Sequence, residues 1–514
     1  MMLRALAKRL NCTVTRAEGN SLVHAGRSLS TAAPSSLSKS SPLSQHGGVH
    51  GTRTTQKTWR NKPLFRREGD VRFRTGTEAA EMLINEVKRR DSHEKDFVQV
   101  FENALQTLAP VFERIPKYAF VAKEFLEPER IFQFRVSWLD DSGSYRMNRG
   151  FRVQYSSALG PFEGGLHFHK DVNAGMVKSM AFARVFTNAL TGCEMGAAVG
   201  GADFNPMNKS EAEIQRFCQA YMTELSKYIG PDQDLPGVGT GVGAREIGYL
   251  YGQYKRMSIH HAQKGKGLLW GGVYPFPQAT ASGVVHWAAR VLEGKGDSLE
   301  GKRCLITGSG KMALHVAEKL VEMGAVPLTL SDTSGHVYEP DGIDAAKLKT
   351  IMKIKSERGA RIGRYIIAST TAKYNEPENV FSVPADLVFP CATHNEIDGV
   401  TATMLADMGV QGVFEGSHMP CTNQAISIFK KRGILHGGHV ATLAADSIFN
   451  GLELSKSSPS MHDLDGRIKE AVDSIYLEAK ATAKEFNVRG DMHAGAIMAG
   501  FLRVADTIIC HGAV

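Results

Sequence analysis

Residues 302–332 contain the feature that most constrains the fold, a short strand pattern that runs into a glycine turn and then a helix. KRCLITGSG is apolar up to the glycines, KMALHVAEKLVEMG has helical periodicity, and VPLTLSD is a second short strand. The turn fits G-x-G-x-x-A, and Asp332 follows Gly308 by 24 residues at the end of the second strand. Such a turn lets a pyrophosphate approach the helix N-terminus, while the acid bonds a ribose. The pattern predicts a dinucleotide site at Gly308, Ser309, Gly310, Lys311, Met312, Ala313 and Asp332; a glycine loop that only packs helix against sheet is the alternative.

The rest of the chain predicts an α/β protein with a Rossmann-like, doubly wound parallel sheet. After the glycine turn, DLVFPCATHNEID and QGVFEGSHMP are two more short apolar strands that end in polar loops. Before it, helical patterns cover 75–130, 173–190 and 209–225, and two strands flank a polar turn at 140–143. We therefore predict an N-terminal α/β domain over 63–265, the dinucleotide domain over 266–450, and C-terminal helices over 451–514. A Gly-rich passage at 264–277 marks the boundary between the two domains.

The charge distribution separates residues 1–62 from the rest of the chain. This segment has ten Lys or Arg and one acid, Glu18, so the remaining residues of this +8 protein have a net charge of −1. The segment is also Ser-rich and begins with an amphipathic stretch, a composition typical of an organelle transit peptide. We expect a mitochondrial matrix protein; a plastid address and a tail without an address are the alternatives. A basic leader gives no support for nucleic-acid binding by the folded part.

Cysteine usage and hydropathy exclude other classes. Seven Cys without a Cys-x-x-Cys pair predict neither a disulfide framework nor a structural zinc site. A mean hydropathy of −0.20 without an apolar run of about 18 residues predicts no membrane span. We interpret His436 and His439 as loop histidines and His167 and His169 as flanking a strand turn, and we interpret the cysteines as small buried residues. No metal site is predicted.

Eight motifs in colinear order give the chain a recognisable family resemblance. FRVSWLDD, NRGFRVQYSSALGPFEGGLHFH, GGADFNP, RFCQAYMTEL, GVGAREIGY, TGSGKMA, SDTSG and PCATHNEID resemble the small-subunit glutamate dehydrogenases, most closely their bacterial-type, NADP-preferring branch. The resemblance implies reversible conversion of glutamate to 2-oxoglutarate and ammonia, a hexamer, and a cleft between a substrate domain and a Rossmann-like domain. It also implies nicotinamide contacts by Thr280 and Asn395. Asp332 and Thr333 leave NAD and NADP open, so the preference for NADP rests on resemblance alone.

The same resemblance shows where this sequence departs from the family pattern. Glu163 stands where the family has a substrate-binding Lys, and Thr187 replaces the Lys expected before Asn-Ala-Leu. Val199 replaces the catalytic Lys, Thr240 the catalytic Asp, and Asn450 a Ser expected to contact substrate. Losing one proton-transfer group costs on the order of 10² to 10⁴ in rate. The substitutions therefore predict a pseudoenzyme without catalytic or substrate-binding residues of the family type.

Two functions remain open at this point. The first is a silent homologue that serves as a structural or regulatory subunit, in a homo- or hetero-oligomer of hexamer type or in a larger mitochondrial complex. The second is an active NAD(P)-dependent amino-acid dehydrogenase with an altered site. Because Glu163 replaces a cation, this second reading favours a neutral or cationic substrate.

Overall fold

The computed structural model describes residues 73–258, 276–357, 359–376, 379–454 and 461–512. The predicted leader, most of the Gly-rich passage at 264–277 and the histidines at 260–261 lie outside these ranges. The domain boundaries placed at 62 and 265 also fall there, so they stay predictions.

The first half of the described chain is built of helices around a five-stranded mixed sheet. Strand β2 pairs antiparallel with β1 and β4, and β3 pairs parallel with β4 and β5, in the order β1-β2-β4-β3-β5. The strands are β1 Arg130–Leu139, β2 Tyr145–Ser156, β3 Phe162–Phe168, β4 Ala197–Ala202 and β5 Asp234–Gly237. The helices are α1 Gly76–Arg90, α2 Lys95–Arg114, α3 Lys117–Glu124, α4 Ala174–Leu190, α5 Glu211–Leu225 and α6 Ala244–Met257.

Sequence patterns predicted several of these elements, but not the strands β3, β4 and β5. The β1–β2 hairpin turns at Asp140, whose carboxylate accepts backbone N–H groups of Ser142 and Ser144, each at 2.9 Å. Helix α5 opens with a capping box between Ser210 and Glu213. Strands β3 and β4 were not predicted because both are glycine-rich, and glycine weakens the strand signal.

The second half contains a five-stranded parallel sheet in the order β13-β12-β11-β6-β7. The chain leaves β6 towards β7 and later returns to its other side with β11, so the predicted doubly wound topology is confirmed. The strands are β6 Arg303–Ile306, β7 Val326–Pro327, β11 Leu387–Phe389, β12 Gly412–Phe414 and β13 Leu435–Gly437. A small antiparallel sheet, ordered β10-β9-β8, comprises β8 Thr329–Asp332, β9 Gly335–Tyr338 and β10 Lys373–Asn375.

Helices cover the parallel sheet and then return to the first half of the chain. They are α7 Phe276–Glu293, α8 Lys311–Glu322, α9 Ala345–Ser356, α10 Gly399–Asp407, α11 Asn423–Arg432, α12 His439–Thr442, α13 Ala444–Leu454, α14 Met461–Glu485 and α15 Met492–His511. Two short 3₁₀ turns occupy Ile362–Ala368 and Val380–Ser382. Helix α15 packs on α4 and α2, where Phe501 meets Phe112 and Tyr118 edge to face.

Helix α15 is also the one described helix that is long and apolar enough to cross a membrane. Of its most apolar window, 67% is buried inside the fold. A core helix passes the same test of length and composition, so α15 is weak evidence for a span.

The structure corrects three minor sequence interpretations. His436 lies within β13 and His439 begins α12, so neither is a loop residue. His167 lies inside β3 rather than at a strand turn. The cysteines are not uniformly buried, because Cys193 is half-buried and Cys510 is exposed.

Candidate functional site

The predicted dinucleotide loop lies where the parallel sheet changes direction. Gly308–Gly310 follow β6, and Ala313 is buried in the first turn of α8. Gly308 has φ +83°, and a Cβ on it would lie 3.1 Å from the carbonyl oxygen of Cys391, which follows β11. A side chain there would therefore press on the neighbouring loop. The crevice between the carboxyl ends of β6 and β11 is the place where doubly wound sheets bind ligands.

The remaining loop residues differ in exposure. Lys311 is exposed and Met312 half-buried, while Ser309 is 5% exposed. Gly310 is the N-cap of α8, and a Cβ there would meet no atom within 4 Å. The space beside Gly310 at the start of α8 is therefore open, as a bound phosphate would need.

Asp332, the predicted ribose ligand, is held by the protein itself. Its carboxylate accepts the backbone N–H of Ser334 and of Ile362, each at 2.8 Å. Burial opposes ionisation, but these hydrogen bonds and nearby Lys355 lower the pKa of Asp332 below its ordinary value. Lys355 Nζ lies 3.8 Å from the carboxylate. The acid is ionised and preorganised at the end of β8.

Next to Asp332, Thr333 accepts a hydrogen bond from a second cation, Arg361, at the same edge of the sheet. Arg361 is exposed, and its guanidinium donates to Thr333 Oγ1 at 2.5 Å. Sequence analysis missed both cations. Lys355 follows Asp332 by 23 residues and Arg361 follows Thr333 by 28 residues, so neither is close to this edge in the sequence. Two cations flanking the ribose-binding position create a place for an additional phosphate.

Asn395, predicted near the nicotinamide, joins the two halves of the chain. It has φ +54° and exchanges amide hydrogen bonds with Gln99 of α2, at 2.7 and 3.2 Å. Asn423 also donates to the backbone oxygen of Gln99 at 3.0 Å. Thr280, the other predicted nicotinamide contact, is buried in α7. These contacts hold α2 against the carboxyl edge of the parallel sheet.

Glu396 is a titratable group in the crevice that the sequence did not single out. Its carboxylate accepts from Thr307 Oγ1 at 3.0 Å and from the backbone N–H of Ala392 at 3.2 Å. Burial raises the pKa of Glu396 to about 7 despite these bonds. The group therefore changes charge near neutral pH, as groups in binding crevices often do.

Glu163, the charge-reversed substrate position, is fully buried in β3 and paired. Arg184 of α4 donates to its two oxygens at 2.9 to 3.2 Å. The amides of Asn188 and Asn450 donate to the same carboxylate at 3.1 and 2.9 Å. The structure thus brings Glu163 and Asn450 together, around an arginine that the sequence analysis missed.

Arg184 also pairs with Asp446, the third member of this cluster. Burial alone would lower the pKa of Arg184, but Asp446 and Glu163 together raise it above its ordinary value. The arginine stands in an otherwise apolar stretch of α4, and a buried charge requires a partner. That isolated arginine was the sequence signal for the cluster.

The other substituted positions are distributed around this cluster. Val199 lies in the apolar core of β4, and a Cβ on Gly164 would lie 3.6 Å from its methyl group. Thr187 is buried one turn after Arg184, and its hydroxyl donates to the Ala183 carbonyl at 3.2 Å. Thr240 is exposed, and its backbone N–H donates to His167 Nδ1 at 3.2 Å.

Two lysines outside the family motifs could have replaced the missing ones, and both are engaged elsewhere. Lys178 is buried between Asp91 and Glu94, 3.0 Å from each carboxylate. Lys170 is exposed beside Asp171 at 3.3 Å. Neither supplies an ammonium group to the Glu163 cluster.

A narrow cleft lies between α2, α4 and the loops at the sheet edge. His394, His418 and His439 line it. Burial lowers the pKa of His418 well below its ordinary value, and burial lowers that of the adjacent His167 to about 4. The imidazoles of His418 and His167 are therefore neutral at physiological pH. His418 brings polar atoms to this space without a positive charge.

Comparison with known proteins identifies relatives along almost the whole described chain. The family profile "Glutamate/Leucine/Phenylalanine/Valine dehydrogenase" matches residues 271–512, and its "Glu/Leu/Phe/Val dehydrogenase, dimerisation domain" matches 128–256. The NADP-specific glutamate dehydrogenase of Chlorella sorokiniana is 43% identical over 84% of this chain and 84% of its own. That of Giardia intestinalis is 40% identical over 84% of this chain and 99% of its own.

Solved structures show the same architecture. Plasmodium falciparum glutamate dehydrogenase superposes with a TM-score of 0.81 at 41% identity, covering 85% of this chain and 95% of that one. A hetero-hexameric glutamate dehydrogenase from Thermus thermophilus, at 20% identity, has a TM-score of 0.67 over 76% of this chain and 92% of its own, and shows the shared fold alone.

Proposed function

Because the chain belongs to the glutamate dehydrogenase family, we propose that it is a catalytically silent homologue whose substrate position is filled by its own side chains. One observation carries this proposal: the carboxylate of Glu163 occupies the expected cation site and is saturated by Arg184, Asn188 and Asn450. A carboxylate substrate would have to displace an internal carboxylate that already holds these donors.

The charges of the cluster also argue against binding of a dicarboxylate substrate. Glu163 and Asp446 flank a single cation, Arg184, so the trio has a net charge of −1. A dicarboxylate would meet repulsion from two acids and no unpaired cation within this trio. Separating Glu163 from Arg184 to free the guanidinium would leave a buried charge, at a cost of about 3–5 kcal/mol.

The residues at the predicted proton-transfer positions also support a lack of catalytic activity. Val199, at the position of the catalytic Lys, offers only methyl groups, and Thr240, at the position of the catalytic Asp, offers an exposed hydroxyl. Neither can act as a base near pH 7, since a lysine of lowered pKa or a carboxylate is the usual choice. Lys178, the buried lysine of α4, is committed to two acids.

Cofactor binding is proposed independently of turnover, with NADP(H) preferred over NAD(H). The glycine loop after β6 leaves the start of α8 open. Arg361 and Lys355 stand beside the ribose-binding acid Asp332, where a 2′-phosphate would lie. The curated relatives in Chlorella and Giardia are NADP-specific.

We further propose that the protein acts as a structural or regulatory subunit of hexamer type in the mitochondrial matrix. The name of the Thermus enzyme describes a hetero-hexamer, which is a precedent for mixed assemblies on this fold. The basic, Ser-rich segment 1–62 supports the address. Fusing this segment to a fluorescent protein tests the address, and diffuse cytosolic signal would contradict it.

The decisive experiment is an assay of the chain from residue 63 onward, with NADPH, 2-oxoglutarate and ammonia. We expect no substrate-dependent NADPH oxidation. The matched variant carries Thr187→Lys, Val199→Lys, Thr240→Asp and Glu163→Lys, combined with Arg184→Gln because the introduced lysine would otherwise lie against the guanidinium of Arg184. Activity appearing only in this variant supports the proposal, and sustained turnover by the unmodified chain overturns it.

The alternative function is an active dehydrogenase for a neutral or cationic amino acid. The net charge of −1 on Glu163, Arg184 and Asp446 is the observation that favours it. The same assay run in the oxidative direction with NADP and a panel of amino acids distinguishes the two. NADPH formation with a cationic or neutral amino acid selects the alternative.

A further inference from the structure

The buried carboxylate of Glu415 is surrounded by side chains that commonly bind metal ions. Glu415 follows β12 and is 1% exposed. Its Oε1 lies 3.1 Å from His436 Nε2, and its Oε2 lies 2.9 Å from His439 Nδ1. The thiol of Cys421 also interacts with this carboxylate. Carboxylate, imidazole and thiolate are the three ligand types that proteins use for zinc.

The spacing of these atoms fits a common ion. A carboxylate oxygen of Glu415, the Sγ of Cys421 and a ring nitrogen of His436 all lie within 4.8 Å of one another. Zinc at about 2.0–2.3 Å from each ligand holds the ligand atoms roughly 3–4 Å apart. Small side-chain movements would therefore bring the three atoms to coordination distance.

A second observation concerns two ring nitrogens that lie beside this cluster. His436 Nδ1 and His493 Nε2 are both buried without a hydrogen-bond partner, and the two rings lie 4.8 Å apart. Buried polar atoms without a hydrogen-bond partner are rare in folded proteins, so an unfilled pair is a marker for an ion or a water.

There is also space for a small ligand beside the candidate ligands. A narrow cleft lies between α2, α4 and the sheet edge. Glu415, Cys421, His439 and His493 all line it. Two of the three candidate ligands therefore reach space that an ion can enter.

We propose that Glu415, Cys421 and His436 bind a divalent transition-metal ion of the zinc class, with a fourth position facing the cleft beside His439 and His493. Binding displaces the thiol proton of Cys421 to solvent, and no redox change is involved. The ion links β12, β13 and the segment before α11. This site is separate from the Glu163 cluster and does not depend on whether the protein turns over glutamate.

The test is a metal titration of the chain from residue 63, purified without a polyhistidine tag. Zinc content is measured by mass spectrometry of the elements, and Co²⁺ is added to the metal-free protein while the near-ultraviolet thiolate-to-metal absorption is recorded. We expect about one ion per chain and a thiolate band. Cys421→Ala should remove the band and weaken Zn²⁺ binding by roughly 100-fold or more.

Cys218→Ala is the matched control, since Cys218 is also fully buried but lies in α5 of the first domain. It should leave both the band and the zinc affinity unchanged. His436→Gln provides a second ligand variant in case Cys421→Ala does not fold, and it should weaken zinc binding while the folded state is checked by circular dichroism. Zinc binding absent from the unmodified chain, or equal in the Cys421 and Cys218 variants, overturns the proposal.

Discussion

Replacing Glu163 by alanine would test the buried cluster most directly. The change removes the acceptor of three Arg184 contacts at 2.9 to 3.2 Å and of one amide bond each from Asn188 and Asn450. Arg184 keeps Asp446, which is partly exposed at 17% of its side chain. Breaking a buried ion pair from one side typically costs about 3–5 kcal/mol, so we expect a loss of that size in the free energy of unfolding.

The matched control is Glu293→Ala, which removes an acid of similar chemistry from an exposed pair. Glu293 lies 2.9 Å from Arg290, and its side chain is 55% exposed. Exposed pairs of this kind contribute about 0–1 kcal/mol. The two variants therefore separate the effect of burial from the effect of losing a carboxylate.

Urea unfolding followed by circular dichroism gives both free energies, with the oligomeric state measured in the absence of urea. A Glu163→Ala cost of less than about 1 kcal/mol, equal to that of Glu293→Ala, would refute the reasoning. It would mean that Glu163 is not ionised and buried beside Arg184 in solution. The proposed filling of the substrate position would then lose its support.

Three further predictions concern the crevice and the fold. Because the folded-state pKa of Glu396 is about 7 against an ordinary 4.5, its contribution to stability is present below pH 4.5 and is lost as pH rises through 7. Glu396→Gln should thus gain roughly 3 kcal/mol relative to the unmodified chain between pH 4.5 and 8, read from urea unfolding at each pH; a pH-independent difference contradicts this. Arg361→Ala should weaken NADPH binding about 10–100-fold in calorimetry and leave NADH unchanged, unlike Arg364→Ala at the neighbouring exposed ion pair, and equal loss for both cofactors argues against a 2′-phosphate site. Ser210→Ala should cost about 1 kcal/mol of stability through loss of the α5 capping box, and a cost near zero would show that the cap is dispensable.

Sequence reasoning predicted the parts of the fold that local patterns determine. The strand, glycine loop and helix at 303–322 appear as β6 and α8, and the 140–143 turn joins β1 to β2. Strands β3 and β4 were missed because their glycines are set by contacts with distant backbone. A Cβ on Gly164 would come within 1.6 Å of the carbonyl oxygen of Ala198 in β4, a restriction visible only once the two strands are paired.

The candidate sites were less predictable because their residues are distant in the sequence. Glu163 was recognised by its departure from a family motif. The other side chains of its cluster, Arg184, Asp446 and Asn450, come from α4 and α13. The residues of the Glu415 cluster lie after β12, before α11 and within β13. No Cys-x-x-Cys spacing in the sequence therefore indicated a metal site. Long-range side-chain contacts of this kind have no periodicity and leave no local pattern.

The Glu163 cluster also bears on why a silent site would keep its polar residues. Buried ion pairs are often no more stabilising than apolar residues of the same volume. Their directional bonds, however, favour one arrangement over others, and here they run from β3 and α4 to α13, alongside the 2.6 Å bond from Ser447 to Asn188. Any other arrangement of these elements would leave a gap or a charge without its partner, and either would destabilise the folded state. The cluster therefore acts as a specific internal contact where the family pattern has a ligand site, which is consistent with the silent homologue proposed above.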